Sequence, residues 1–368
     1  MTMFQSRSVS RDERRWVLLF AGLVMLITTI PYLIGYVVQD EAWRFSGFIF
    51  GVEDGNSYIA KMLNGSVGEW LFRTPYSIVP QRGVVAFLPY VLLGKLVGGS
   101  GIHDQLVVLY QFFRIGAGYL MILACYEFIA VFCSLKSVRR FGLILMTLGG
   151  GLGWVITVWQ DNPWFNSMPL EYYSPESFGF LGIYGIPHLA LARASLLFAL
   201  VVYLKQTSQP QQKWVKQSIE LGLLWLSTAL AQPITAVLLG TLVGLHLTTT
   251  GLWQVWRSIR HLSTSWTRWR QIVRNVGVSL FIPGPYLIYT AFRFTSDSFL
   301  RQWTARNILP SPHPGYYLLA FGLVVPFSLW GLAILLRKSM WLGLFFAGWL
   351  LAFPFLAYAP LSIQRRLP

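Results

Sequence analysis

Apolar positions in this chain come in long, nearly unbroken runs, and polar positions come in short blocks between them. Trp16–Val38 is the first such run, long enough to cross a bilayer as a helix. Gln105–Cys133, Phe141–Trp159, His188–Leu204, Val276–Phe292, Tyr317–Leu336 and Met340–Ala359 read the same way. Ile219–Thr248 is broken at Gln232-Pro233 and reads as two short spans joined by a turn, because proline stops a helix there. Val84–Gly98 is short for a span and carries Lys95, which suits a helix lying at the membrane surface. The pattern predicts an all-α polytopic membrane protein with nine transmembrane helices, one interfacial helix and no second domain in 1–368. A β-barrel is excluded because the apolar runs are continuous rather than alternating.

Composition agrees. Charged residues are 12 % of the chain, against about 25 % in an ordinary soluble domain. Mean hydropathy is +0.53. A soluble enzyme, a disordered scaffold and a disulfide-rich secreted module are excluded. The net charge of +15 would point to nucleic acid in a soluble protein. Here the bias of Lys and Arg toward the cytoplasmic face explains it, and no nucleic-acid partner is expected. Cys125 and Cys133 share one apolar run and form no metal or disulfide pattern.

Charge also sets the orientation. Arg7, Arg11, Arg14 and Arg15 precede the first span, so 1–15 is cytoplasmic and Trp16–Val38 is a retained signal anchor. With Val84–Gly98 on the surface, 39–104 forms a first extracytoplasmic loop. Lys136, Arg139 and Arg140 then fall inside, 160–187 outside, the basic segment 249–275 inside and 293–316 outside. Within the basic segment, Gly251–Asn275 with its four tryptophans reads as an amphipathic helix on the inner leaflet. Most acidic residues fall in the outer loops, where they serve either solubility or chemistry. The expected location is a plasma (inner) membrane, with membrane lipids as surroundings.

The first outer loop carries the densest chemistry. Glu53-Asp54 stands where a helix would begin, with Tyr58, Met62 and Gly65 following at helical spacing. A carboxylate in the first turn is stabilised as the anion, which suits either a helix cap or a general base. Asp40-Glu41 is a competing acidic pair, close to the first span. Arg114 lies roughly 13 Å into its span at 1.5 Å per residue. An arginine at that depth marks either a functional site or a side chain snorkelling to the headgroups. Arg193 is similar but shallower. Glu127 reads as a helix–helix hydrogen-bonding group, and His188 and His313 as structural residues.

Asp54, Tyr58, Gly68-Glu69-Trp70, Leu88-Pro89-Tyr90 and Gly94 together resemble the first outer loop of the GT-C superfamily, membrane glycosyltransferases of the mannosyltransferase and aminoarabinose-transferase kind that use polyprenyl-phosphate sugars. The resemblance covers roughly the first 160 residues by motif and the rest by topology. It implies an inverting transfer of a hexosyl or pentosyl unit from a lipid-phosphate donor to an extracytoplasmic acceptor. It makes Asp54 the base, with Glu53 beside it, and Tyr58 part of the substrate site. Arg73, Arg82, Arg114, Arg193, Arg301 and Arg306 become the expected ligands of the donor phosphate. Asp161 matches the superfamily's second acid, and with Asp54 would suit Mg²⁺ or Mn²⁺. Leu88 departs from the pattern, since many relatives have a basic residue there; Arg82 is the nearest substitute. Two other classes remain open: a transporter or lipid flippase, and a non-catalytic assembly subunit. No internal repeat favours the transporter.

Overall fold

The computed structural model describes residues 9–159, 168–208, 213–360 and 364–366. Among these residues every regular element is helical, apart from an isolated bridge between Phe72 and Val84. Helix α1 (Arg11–Val37) begins with a reciprocal cap. The Ser10 hydroxyl accepts from the Glu13 amide, and the Glu13 carboxylate accepts from the Ser10 amide. Its buried residues Val17, Ala21, Val24, Thr28 and Tyr32 form one stripe, while Leu19, Leu23, Leu26, Ile30 and Leu33 are exposed. A helix apolar all round but packed on one side only has its other side suited to lipid.

Helices α2 (Val52–Ser66) and α3 (Leu88–Gly94) follow. At seven residues α3 is about 10 Å long, a third of a hydrocarbon core. It packs across α2 at two glycines. A Cβ on Gly65 would lie 2.0 Å from the Val91 carbonyl oxygen, and one on Gly94 1.8 Å from that of Met62. Helix α4 (Ile102–Phe132) has 31 residues and runs antiparallel to α1. The antiparallel sense follows from contacts at both ends. Tyr32 and Tyr110 donate to the carbonyls of Tyr184 and Gly185 at one end. At the other, Arg139 pairs with Glu13 at 2.8 Å, both side chains buried.

After α5 (Lys136–Leu148) the backbone leaves the helix, and α6 (Gly153–Trp159) starts anew. Phe141–Trp159, expected as one helix, is therefore interrupted at Gly149-Gly150-Gly151. The Glu171 carboxylate accepts from the Gly153 amide at the start of α6. Short helices α7 (Leu170–Tyr173) and α8 (Gly179–Gly185) lead into α9 (Pro187–Ser208), which packs against α4 and α10. Helices α10 (Trp214–Ala231) and α11 (Pro233–Ile259) meet at Gln232-Pro233, as the sequence indicates.

Helix α11 runs on to Ile259, and α12 (Trp266–Leu280) folds back beside it. Gly251–Asn275 is thus a helical hairpin rather than one surface helix. The Trp269 indole donates to the Leu247 carbonyl across the hairpin. Val276–Phe292 also divides, because Pro283 and Pro285 separate α12 from α13 (Gly284–Ser296). Helices α14 (Ser298–Arg306), α15 (Pro314–Phe321), α16 (Val324–Lys338) and α17 (Met340–Ala357) complete the bundle, followed by a 3₁₀ turn at Gln364–Arg366.

Five described helices, α1, α4, α9 to Gln206, α11 and α17, are long and apolar enough to cross a membrane. Helices α15 and α16, bent by 77° at their break, make a sixth if they cross together. The protein is an α-helical membrane protein.

Candidate functional site

One end of the bundle gathers several segments that are distant in sequence. Phe72, Val84 and Ala86 of the first loop pack with Leu300 of α14. The Val85 amide donates to the Tyr289 hydroxyl of α13 at 3.1 Å. The Glu176 carboxylate pairs with Arg366 at 3.4 Å. This end lies opposite the Glu13–Arg139 pair.

Helix α2 presents its first turn here. Its cap, Gly51, has φ of 62°, the left-handed conformation glycine adopts without strain. Glu53 and Asp54 are exposed, and among the described residues neither carboxylate makes a hydrogen bond or ion pair. One turn on, Tyr58 stacks on Tyr90 with ring centroids 4.7 Å apart, and its edge meets His188 at 5.0 Å. The Tyr90 hydroxyl and His188 Nδ1 are 2.8 Å apart. Burial raises the Tyr58 phenol pKa well above its ordinary value, and the Asp54 charge adds to the rise. The charges of Arg366 and Glu176 also act on that phenol.

Lys61, two turns from Asp54 on the same face, is buried. Its ammonium donates to the Ser57 hydroxyl at 2.7 Å and lies over the rings of Tyr58 and Phe87. Burial lowers its pKa to about 8, against the opposing pull of Asp54.

Two cavities carry charged linings, and Lys61 and Ser57 line the smaller of them. The larger, about 440 Å³, runs between helices with walls that include Met121, Leu145, Met146, Leu196, Leu197, Leu238, Val324, Trp349 and Phe353. Its polar lining comes from Arg193, Glu176, Arg366, Ser177, Gln232 and Thr235. Arg193 donates through one terminal nitrogen to the Glu176 carbonyl, while its other terminal nitrogen is buried without a partner. An unpaired buried guanidinium nitrogen at the polar part of an apolar cavity suits an amphiphile with an anionic head. The smaller cavity, about 270 Å³, lies between the first loop and α14.

The expected site residues are not all together. Arg193 lines the larger cavity and Arg306 the smaller. Arg73 is paired with Glu69 at 3.3 Å on the surface. Arg82 and Arg301 are exposed and line neither cavity. Arg114 has a different setting from a phosphate ligand. It is fully buried between α4 and α1, donating to Gln111 at 2.7 Å, Thr29 at 2.7 Å and Thr28 at 3.3 Å, with Tyr32 under its guanidinium. The cost of burying that charge is met by helix–helix contacts. Asp40, of the competing pair, accepts from the Ala42 and Trp43 amides and so closes the turn after α1. Asp161 lies outside the described residues. Among those described, no three His, Cys, Asp or Glu side chains converge as a metal site.

Lys61 and Arg366 were not singled out by the sequence. Lys61 had a signal, a lysine seven residues after Asp54 on the apolar face of α2. Arg366 had none, because only the fold brings the chain's end to Glu176.

No protein-family model matches this chain, and searches of curated proteins and of solved structures find no similar protein.

Proposed function

We propose that this protein is a GT-C-type membrane glycosyltransferase with nine spans, an N-terminus in the cytoplasm and an extracytoplasmic site in the plasma (inner) membrane. It moves a sugar from a polyprenyl-phosphate carrier to an acceptor hydroxyl with inversion. One observation carries the reading. The larger cavity is mostly apolar along its walls, with Arg193, Glu176 and Arg366 as its charged part, and the charges of Arg366 and Glu176 reach the phenol of Tyr58, one turn from Asp54. That shape fits a prenyl chain with its phosphate at Arg193 and Arg366 and its sugar toward α2.

The chemistry follows from this placement. The acceptor oxygen attacks the anomeric carbon from the face opposite the phosphate. The bond from that carbon to the phosphate oxygen breaks, and the electron pair leaves with the polyprenyl phosphate. Asp54 takes the acceptor proton. Arg193 and Arg366 balance charge growing on the phosphate. A phosphate leaving group needs no proton, so a single carboxylate suffices.

The test is Asp54→Asn, which keeps the size of the side chain and removes its charge. Transfer should fall by about 10²–10⁴ with folding and donor binding retained, whereas Glu53→Gln should be milder. Near-normal turnover in Asp54→Asn removes Asp54 as the base. Donor binding without transfer in the wild-type protein would instead favour a lipid flippase or an assembly subunit.

A further inference from the structure

The smaller cavity has a chemistry of its own. The first loop and α14 build it, and the apolar contact of Phe72 and Val84 with Leu300 fixes their relative position. Its polar lining includes Thr74, Ser77 and Gln302, its cations are Lys61 and Arg306, and Trp303 forms part of one side. Among the described residues no carboxylate lines it. We propose that this cavity binds an anionic saccharide, a sugar ring bearing a carboxylate or a phosphate.

Lys61 supplies the main argument. A buried ammonium is costly unless a counter-charge meets it. Among the described residues no carboxylate pairs with it, and only Ser57 accepts its hydrogen bonds. Its depressed pKa, about 8, reports the same deficit. An anion in the cavity supplies the missing charge, and Arg306 adds a second cation. Hydroxyl and amide groups answer the donors and acceptors of a sugar ring, and the indole of Trp303 offers it an apolar face. The volume sits near the lower bound of about 300 Å³ for ligand pockets, enough for a small ring and too little for a lipid chain. The walls are mixed: Phe72, Pro75, Val79 and Phe299 stand beside Ser57, Thr74, Ser77 and Gln302. As a binding site the cavity stands independently; as the acceptor subsite it rests on the transferase reading.

The test uses the whole protein in nanodiscs, with glucuronate, glucose 6-phosphate, glucose and inorganic phosphate as probes and saturation-transfer NMR titration as readout. Both anionic sugars should bind, and glucose and phosphate about tenfold more weakly. Arg306→Gln and Lys61→Met should each weaken glucuronate about tenfold. Wild-type affinity for glucuronate should also fall about tenfold between pH 7 and about 9.5, as Lys61 loses its proton. Arg306 is exposed, so its variant carries the test if Lys61→Met does not fold. Glucose or bare phosphate binding as tightly as glucuronate overturns the proposal, and so does an Arg306→Gln variant with unchanged affinity. Binding of the anionic sugars by a wild-type protein that transfers nothing leaves the site standing and removes the transferase. Transfer without such binding does the reverse.

Discussion

Three inward-facing cations, Arg114 and Lys61 buried and Arg193 half-buried, show how differently a positive charge is accommodated. Arg114 is enclosed by Thr28, Thr29, Gln111 and the Tyr32 ring. Arg193 keeps one buried nitrogen unpaired in the larger cavity. Lys61 has the Ser57 hydroxyl, the rings of Tyr58 and Phe87 and a lowered pKa. The sequence located both arginines as unusual but could not tell a helix clamp from a ligand site, because the difference lies in what the neighbouring helix offers. Arg114→Leu should cost about 2–3 kcal/mol in stability through lost charge-assisted bonds, with donor binding unchanged in the protein that remains folded. A thermal melt and a carrier-binding assay on the same sample separate the two effects. For Lys61 the sign runs the other way. A lysine whose folded pKa lies below its unfolded one costs stability at all pH values below the folded pKa. That cost fades as pH rises from about 8 toward the ordinary lysine value of 10.5. Lys61→Met should therefore be more stable than wild type at pH 7, on the order of 2–3 kcal/mol, and the gap should close as pH rises through that window. Parallel melting curves for the two proteins between pH 7 and 10 would show that the charge carries no such cost.

At the scale of elements, apolar runs located helices well and their interruptions poorly. Gly149-Gly150-Gly151 brings no charge into the run, so Phe141–Trp159 reads as one helix although the backbone leaves the helix there. Gly322, with φ of 46°, likewise bends an otherwise continuous run between α15 and α16. Proline was the more legible signal at Gln232-Pro233, because it removes a donor as well as fixing φ. The α2–α3 crossing was partly legible, since Gly65 and Gly94 both stood out, yet only packing explains them. Each glycine has the other helix's backbone where a side chain would be. Gly94→Ala should therefore separate the helices and disturb the Tyr58–Tyr90 stack. The expected loss is about 1–3 kcal/mol, as for other overpacked contacts. Limited proteolysis between residues 67 and 87 should become faster than in wild type; an unchanged cleavage rate and melting temperature would show that the crossing tolerates a methyl group.

For the whole molecule, composition set the class and charge set a testable arrangement of faces. The fold adds an internal tie to that arrangement. Glu13 accepts from both Arg139 and Tyr126, at 2.8 Å each, so the turn between α4 and α5 lies at the same end as the start of α1. Helix α4, at about 46 Å for 31 residues, is longer than the hydrocarbon core of about 30 Å, and Ser100 and Ser137 flank its two ends. Both are exposed. With α3 too short to cross, only one crossing separates them. In intact cells carrying Cys133→Ser, Ser100→Cys should react with an impermeant maleimide, and Ser137→Cys should react only after the membrane is opened. Labelling of both from outside would mean that α4 does not span. Labelling of Ser137→Cys alone would invert the protein, placing Asp54 and both cavities on the cytoplasmic side and removing the extracytoplasmic transferase reading.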